Sequence, residues 1–292
     1  MFIATLIAAE RLAGGDISAA EDALRAARIA PEGRSWIEDD KACDILFAAD
    51  PGRARTALEG LLPGTDVIVQ GEANRRRKLL VADMDSTMIT VECIDELADY
   101  AGLKAEVAEV TERAMRGELV FEEALRARVA LLKGLDAAAI DRCRADRVRL
   151  TPGACALVRT MRRDGALTIL VSGGFTRFAD PVGAEIGFER VVANHLCIEG
   201  ERLTGAVEPP IVGAEAKRLA LVDARVERGI APEDTLAVGD GANDIPMIRE
   251  AGFGIAYRAK AAAVAAADAR IEHGDLTAVL YAMGYGRSEW AA

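Results

Sequence analysis

The segment Leu79-Leu80-Val81-Ala82 is apolar at four consecutive positions and stops abruptly at Asp83-Met84-Asp85-Ser86-Thr87. An apolar run without polar alternation reads as a strand buried on both faces. Two later runs have the same form. Leu167–Val171 ends in Ser172-Gly173-Gly174, and Thr235–Val238 ends in Gly239-Asp240-Gly241-Ala242-Asn243-Asp244. Arg190–Ala193, Gly254–Tyr257 and Ala269–Ile271 read as shorter strands, and Leu196–Ile198 with Arg202–Ala206 as a hairpin turning at Glu199-Gly200-Glu201. Between about Glu92 and Arg149 the pattern changes to a proline-free stretch rich in Ala, Leu, Glu and Arg. Its spacing predicts helices over Cys93–Ala101, Lys104–Arg116, Phe121–Leu132 and Ala137–Arg147, closed by Thr151-Pro152-Gly153. Strands alternating with helices predict an α/β fold with a doubly wound parallel sheet. The helical stretch, residues about 90–150, then becomes a cap inserted over the strand ends, where a lid would sit.

Residues 1–76 carry a different pattern. Phe2–Ala8 predicts a strand, Ile17–Arg28 a helix with Ala20, Ala23, Leu24 and Ala27 on one face, and Ser35–Ile37 and Ala42–Ala48 two strands around Glu38-Asp39-Asp40. Arg53–Leu62 predicts a helix and Asp66–Gln70 a strand. The order βαββαβ is that of a small ferredoxin-like domain. In topology it resembles the ACT domains, which bind small molecules, although no ligand signature is visible in it. Residues 77–292 are left for the α/β domain.

At 292 residues the chain can bury a sizeable core, and two or three domains fit. A net charge of -11 argues against nucleic acid as a partner, because phosphate backbones require a basic surface. The basic cluster Arg75-Arg76-Arg77-Lys78, just before the first buried strand, reads as a solvated linker. Five cysteines without a Cys-x-x-Cys pair suggest reduced thiols, and two isolated histidines, His195 and His273, do not make a histidine metal centre. Residues 1–9 are apolar but lack a basic leader, so they read as a strand rather than a signal peptide. No run approaches the roughly 20 apolar residues of a membrane span, and a cytoplasmic protein is expected.

Three inferred strands therefore end in polar loops, bearing Asp83 and Asp85, Ser172 and Gly173, and Asp240, Asn243 and Asp244. Ligands of open α/β sheets bind at the carboxyl ends of the strands. Lys217 lies between the last two loops, on a helix following Pro209-Pro210. Carboxylates on adjacent strand ends can hold a hard divalent cation, and Mg²⁺ takes one or two of them together with substrate phosphate. A hydroxyl, a glycine-rich backbone and one lysine supply donors to a phosphoryl group, so the parts together describe phosphoryl transfer. Each part has a plainer reading when taken singly. Asp83 can cap a helix, Ser172 can be a turn residue, and Lys217 can be a solvated helix lysine.

In order along the chain, Asp83-Met84-Asp85-Ser86-Thr87, Ser172, Lys217 and Gly239-Asp240-Gly241-Ala242-Asn243-Asp244 resemble the four motifs of the haloacid dehalogenase-like hydrolases. Glu92, Met115, Phe121 and Arg128, with Val171-Ser172-Gly173-Gly174-Phe175, extend the resemblance to the phosphoserine phosphatase branch of that family. The resemblance covers most of the chain from Leu79 onward and leaves the N-terminal domain outside. It implies that Asp83 is a nucleophile that becomes an aspartyl phosphate, and that Asp85 protonates the leaving oxygen and then takes a proton from water. It also implies that Mg²⁺ is held by the Asp83 carboxylate, the Asp85 backbone carbonyl and the Asp240 carboxylate, with Asp244 in support. Ser172, Gly173, Lys217 and Asn243 would meet the phosphate. The implied substrate is O-phospho-L-serine, hydrolysed to serine and phosphate in serine biosynthesis. Glu92 would pair with its ammonium and Arg128 with its carboxylate, beneath Met115 and Phe121. Without the resemblance, Glu92 and Arg128 read as solvated helix charges, and Met115 and Phe121 as core.

Two alternatives stay open at this stage. One is a phosphatase or phosphotransferase of the same family acting on another small phosphorylated molecule. The other is an amino-acid sensor working through residues 1–76 over an idle core. A dehalogenase is disfavoured, because Asp85 supplies an acid that such chemistry does not need. The N-terminal domain is also the expected place for a homodimer contact.

Overall fold

The computed structural model describes residues 1–116 and 118–291. The N-terminal elements are β1 (Phe2–Ala8), α1 (Gly14–Ala26), β2 (Pro31–Glu38), β3 (Ala42–Phe47), α2 (Pro51–Leu58) and β4 (Thr65–Gly71). They form an antiparallel sheet in the order β2-β3-β1-β4, in the βαββαβ sequence expected. Several ends differ from the periodicity. The second helix starts at Pro51, where Asp50 accepts the Arg53 N–H at 3.0 Å. It stops at Leu58, before Gly60 adopts a φ of 76°. β2 runs well beyond Ser35–Ile37, because an edge strand needs no apolar outer face to pair with its neighbour.

One face of this sheet packs Ala4, Leu6, Cys43 and Ile45 against Ile17, Leu24 and Leu58 of the two helices. The other face places Ile7, Ala42 and Ile68 in the core of the second unit. Asp66, 4% exposed, accepts the N–H groups of Glu272, His273 and Gly274 at 2.8, 3.1 and 2.7 Å. Gln70 donates to the Ala282 carbonyl at 2.7 Å. The basic cluster after β4 is not the solvated linker that its composition suggests. Arg75 pairs with buried Asp44 at 2.6 Å, Arg77 donates to Gln70 at 3.0 Å, and the Arg76 guanidinium lies 4.0 Å from the Tyr285 ring centroid. Lys78 remains exposed but pairs with Asp234 at 2.7 Å. Composition could not show this, because all of these partners but Gln70 lie 31 or more residues away.

The second unit begins with β5 (Leu79–Ala82) and then the cap helices α3 (Cys93–Tyr100), α4 (Lys104–Met115), α5 (Phe121–Leu131) and α6 (Ala138–Arg147). After α7 (Ala154–Arg163) come β6 (Leu167–Phe175), α8 (Thr176–Ile186), β7 (Arg190–Asn194), the hairpin β8 (Leu196–Glu199) and β9 (Arg202–Val207), and α9 (Ala214–Arg228). The chain closes with β10 (Thr235–Gly239), α10 (Ile245–Glu250), β11 (Phe253–Tyr257), α11 (Ala261–Val264), β12 (Ala269–Ile271) and α12 (Thr277–Ala282). Six strands form one all-parallel sheet in the order β12-β11-β10-β5-β6-β7. Alternation of period two sorts the apolar runs onto two buried faces. Leu80, Ala82, Leu170, Leu236 and Val238 lie on one face, and Leu79, Val81, Ile169 and Ala237 on the other. Each of the leucine, isoleucine and valine side chains among them contributes about 1.5–3 kcal/mol by burial.

Two chain crossings join the cap to this sheet. They are held together by the Ile89–Leu150 bridge and by N–H bonds from Thr90 to Arg149 and Thr151 to Met88, each 3.0 Å. The hairpin supports the cap from the side, through Gly134 to Leu203, Leu203 to Leu135 and Ala137 to Glu201 at 2.8–2.9 Å. No helix among the described residues is long and apolar enough to cross a membrane.

Candidate active site

From β5 the chain winds to β6 and β7 on one side, and later to β10, β11 and β12 on the other. The crevice where the winding reverses is where such sheets bind ligands. Asp83 stands there directly after β5, its N–H on the Val238 carbonyl at 3.0 Å. The following residues turn sharply, with Ser86 at a φ of 55°, a conformation that a non-glycine residue holds at some cost. Asp83 Oδ1 accepts the Met84 N–H at 2.7 Å and lies 2.6 Å from Lys217 Nζ. Lys217, fully buried on α9, also meets Asp244 Oδ1 at 2.7 Å. The other Asp244 oxygen accepts the N–H groups of Asp240 and Gly241 at 3.1 and 2.9 Å. A Cβ at Gly239 would lie 2.5 Å from the Asp244 carboxyl carbon, so glycine is required there. Thr87 donates to Asp240 Oδ1 at 3.3 Å.

Asp85 emerges two residues after Asp83 and is held differently. Oδ1 accepts the Cys93 N–H at 2.9 Å, and Oδ2 accepts the Ser172 hydroxyl at 3.2 Å. Ser172 in turn accepts the Gly174 N–H at 2.8 Å. In this arrangement Ser172 is buried and turned toward Asp85, while Lys217 is enclosed by two carboxylates; both stand beside the cavity rather than lining it.

The cavity, about 110 Å³, is floored by Asp83, Asp85, Gly173, Asp240, Gly241 and Asn243. The cap contributes Glu92, Phe121 and Arg128. Glu92 accepts the Ser86 hydroxyl at 2.7 Å. Arg128 donates from Nε to the Ala124 carbonyl at 3.3 Å and, among the described residues, has no carboxylate at ion-pair distance, so its fork is free. Burial pushes the Arg128 guanidinium down, against the opposite pull of Asp95 and Glu92. The Phe121 ring lies so close to Gly173 and Gly213 that a Cβ on either would sit 3.1–3.2 Å from it. The cap is thus docked onto the core through an aromatic ring seated on two glycines. Met115 closes α4, and its side chain lies outside the described residues. Sequence reasoning missed Lys260, which lines the cavity and donates its N–H to the Asp240 carbonyl at 3.0 Å. The same strand-end rule points to it, since Lys260 follows the carboxyl end of β11.

Three buried carboxylates, Asp83, Asp240 and Asp244, with half-buried Asp85 beside them, gather around the buried ammonium of Lys217, while Lys260 lines the cavity. Burial and then the Asp244 charge push Asp83 up, against the pull of Lys217. Burial and then Glu92 raise Asp85 to about 6, and burial and then Asp244 raise Asp240 to about 6. Burial pulls the Lys217 ammonium down, but Asp83 and Asp244 outweigh it and the net shift is upward. Carboxylate oxygens of Asp83, Asp240 and Asp244 lie within 4.8 Å of one another. An all-oxygen donor set with uncompensated negative charge fits a hard divalent cation.

A consequence for stability follows. Asp240 ionises near 6 in the folded chain and near 3.8 unfolded. The folded state therefore holds the extra proton between those values, and without a divalent cation stability falls as pH rises from about 4 to about 6. Asp240→Asn removes that penalty while keeping an acceptor for Thr87. At pH 7.5 in chelator, its melting temperature should exceed wild type by roughly 2–6 °C, from about 1–2 kcal/mol. Mg²⁺ should raise the wild-type melting temperature and leave the variant nearly unmoved. Scanning fluorimetry with and without Mg²⁺ checks this, and a wild-type-sized Mg²⁺ shift in the variant would remove Asp240 from the metal site.

Known proteins are similar to this chain. Residues 80–249 match the haloacid dehalogenase-like hydrolase family. The chain is 44% identical over 242 residues to a phosphoserine phosphatase of Streptomyces coelicolor, covering 82% of this chain and 59% of that one. It is also 44% identical over 229 residues to a phosphoserine phosphatase of Albidiferax ferrireducens, covering 75% of this chain and 96% of that one. A solved phospho-aspartyl intermediate analogue of phosphoserine phosphatase superposes with a TM-score of 0.65 at 39% identity, over 70% of this chain and 98% of that one. The chain thus spans about three fifths of the Streptomyces relative and nearly all of the Albidiferax one. With the motif residues gathered at one switch point beneath an inserted helical cap, the chain belongs to the haloacid dehalogenase-like hydrolases.

Proposed function

We propose that the chain hydrolyses O-phospho-L-serine to L-serine and inorganic phosphate, through a phosphoryl group carried transiently on Asp83. The observation that carries this reading is one small cavity with Asp83 on its floor and an acid, Glu92, and an unpaired base, Arg128, on its cap wall. The two cap charges match the α-ammonium and α-carboxylate of an amino acid, and the floor matches a phosphate. The names of the relatives support the same substrate.

In this mechanism an Asp83 carboxylate oxygen attacks phosphorus and the serine oxygen leaves. Asp85 gives that oxygen its proton. A carboxyl raised to about 6 by burial and Glu92 is already partly protonated near neutrality, and the arriving phosphate charge raises it further. Asp85 then takes a proton from the water that attacks the phosphoaspartate, which frees phosphate and restores both groups. Ser172, beside Asp85, and Lys217, beside Asp83, supply donors to the phosphoryl oxygens. Asn243 and the Gly173 backbone complete the cradle. Asp83, Asp240 and the Asp85 carbonyl would hold Mg²⁺ with Asp244 in support, and the ion would neutralise charge on the phosphoryl oxygens. Phe121, seated against Gly173 and Gly213, keeps water out while the cap is closed.

The test is discrimination between O-phosphoserine and O-phosphoethanolamine, which lacks the carboxylate. Loss of a two-pronged charged contact worth about 2–3 kcal/mol should raise KM for phosphoserine roughly 30- to 150-fold in Arg128→Ala. The kcat/KM preference for phosphoserine should fall toward unity, with phosphoethanolamine turnover little changed. An unaltered preference would take Arg128 out of carboxylate recognition and return the question to another small phosphate ester.

A further inference from the structure

The seam between the N-terminal sheet and the α/β unit holds a second cavity, about 440 Å³, which shares no lining residue with the cavity of the proposed phosphatase site. Its cationic lining comes from both units: Lys41 from the turn between β2 and β3, Arg258 after β11, His273 after β12, and Arg287 near the chain end. Tyr281 and Trp290, packed edge to face at 5.2 Å, form an aromatic wall.

Charge is distributed unusually here. The whole chain carries -11, and many of its arginines are paired with carboxylates. The seam cations are not. Lys41 Nζ donates to the Ala9 carbonyl at 2.5 Å and Arg258 to the Gly274 carbonyl at 3.2 Å. Among the described residues, neither the Arg287 guanidinium nor the His273 ring has a hydrogen-bond or ion-pair partner. Among the described residues Asp275 is the single acid lining the cavity, and one of its oxygens is occupied by the N–H and hydroxyl of Thr277. At the edge, Glu38 accepts the backbone N–H of Arg287 at 3.0 Å without pairing with its side chain. Three permanent cations and a histidine thus converge with little acidic compensation.

Two further observations set this seam apart from an ordinary basic surface. Arg258, which lines the cavity, holds a φ of 43°, costly for a side-chain-bearing residue. Pro152, on the chain returning from the cap, also lines the cavity and accepts the Leu276 N–H at 3.1 Å. An occupant would therefore touch the N-terminal sheet, the C-terminal segment and the cap's return strand together.

We infer that this seam is a binding site for a small oxyanion, a carboxylate- or phosphate-bearing metabolite, distinct from the phosphatase site. The recognising chemistry is charge-assisted hydrogen bonding from Lys41, Arg258 and Arg287 over an aromatic wall.

Trp290 provides the readout. The chain has two tryptophans, and Trp36 is exposed on β2, so Trp36→Phe leaves Trp290 as the sole reporter. This full-length variant is titrated with inorganic phosphate and, separately, with malonate. Saturable change in Trp290 emission is expected with at least one of them, and which one saturates names the anion class. Arg258→Ala/Arg287→Ala should weaken the midpoint by about tenfold or more, Arg258→Lys/Arg287→Lys should recover most of that loss, and added salt should weaken binding in all forms. Arg128→Ala, in the other cavity, should leave the midpoint unchanged. No saturable change with either anion overturns the inference. So does a midpoint that survives the alanine pair, a lysine pair as weak as the alanine pair, or loss of the response in Arg128→Ala.

Discussion

Asp83→Asn should lower phosphate release from O-phosphoserine by on the order of 10⁴-fold or more while leaving the chain folded. The amide keeps the size of the carboxylate and can still accept the Met84 N–H, now made at 2.7 Å. It cannot form the acyl phosphate intermediate, and removal of a covalent nucleophile costs rate on this scale because the remaining groups work only with it. The substitution also relieves charge crowding. Asp83 is pushed up by burial and by Asp244, so its loss removes a strained carboxylate while Lys217 keeps its 2.7 Å partner Asp244. Stability in chelator should therefore match or exceed wild type, as measured by urea unfolding alongside steady-state phosphate release. Turnover within tenfold of wild type would remove Asp83 as the nucleophile. Trapping of ³²P on wild-type protein but not on the variant is the direct check.

Lys217→Met should have the largest effect on stability. The lysine is fully buried, with its ammonium 2.6 Å from Asp83 and 2.7 Å from Asp244. Methionine keeps most of the volume and leaves two buried carboxylates without a counter-charge. Breaking a buried pair from one side costs about 3–5 kcal/mol, far more than the pair itself contributes. Adding Asp244→Asn to Lys217→Met should recover part of that loss. The two substitutions share one network, so their effects should be non-additive by about 1–3 kcal/mol in a double-mutant cycle. Activity should not return, because the donor to the phosphoryl group is still missing. Equal stability of Lys217→Met and wild type, in chelator at neutral pH, would mean that the site does not depend on this ammonium for charge balance.

How much of this was legible before the fold depends on where the signal lay. Leu79–Ala82 and Thr235–Val238 needed no tertiary information, because an uninterrupted apolar run ending in acidic residues is a local pattern with few readings. The cap helices were equally local, their periodic spacing uninterrupted by proline. Asp83, Asp85, Asp240 and Asp244 could be placed near one another because parallel strands present their carboxyl ends on one side. Lys260 obeyed the same rule and was missed only because a single lysine after a short strand carries no motif. The edge strand β2 was underestimated, since half of an exposed edge need not be apolar.

Side-chain partnership was not legible at all. No spacing shows that Asp85 rests on the Cys93 N–H and the Ser172 hydroxyl, or that Phe121 of the cap docks onto Gly173 and Gly213. The basic residues 75–78 read as solvated, yet they clasp partners brought close only by folding. Charge balance was likewise hidden. Three acids and a lysine are unremarkable in composition, and the acids become a candidate cation site only when burial removes the water that would otherwise screen them. The sequence by itself determined the strands, the helices and the chemical types at the strand ends, because backbone periodicity and strand polarity are written in neighbouring residues. The tertiary structure alone decided which charges face each other without water and which are spent on holding the two units together, because both depend on distances that chain order does not record.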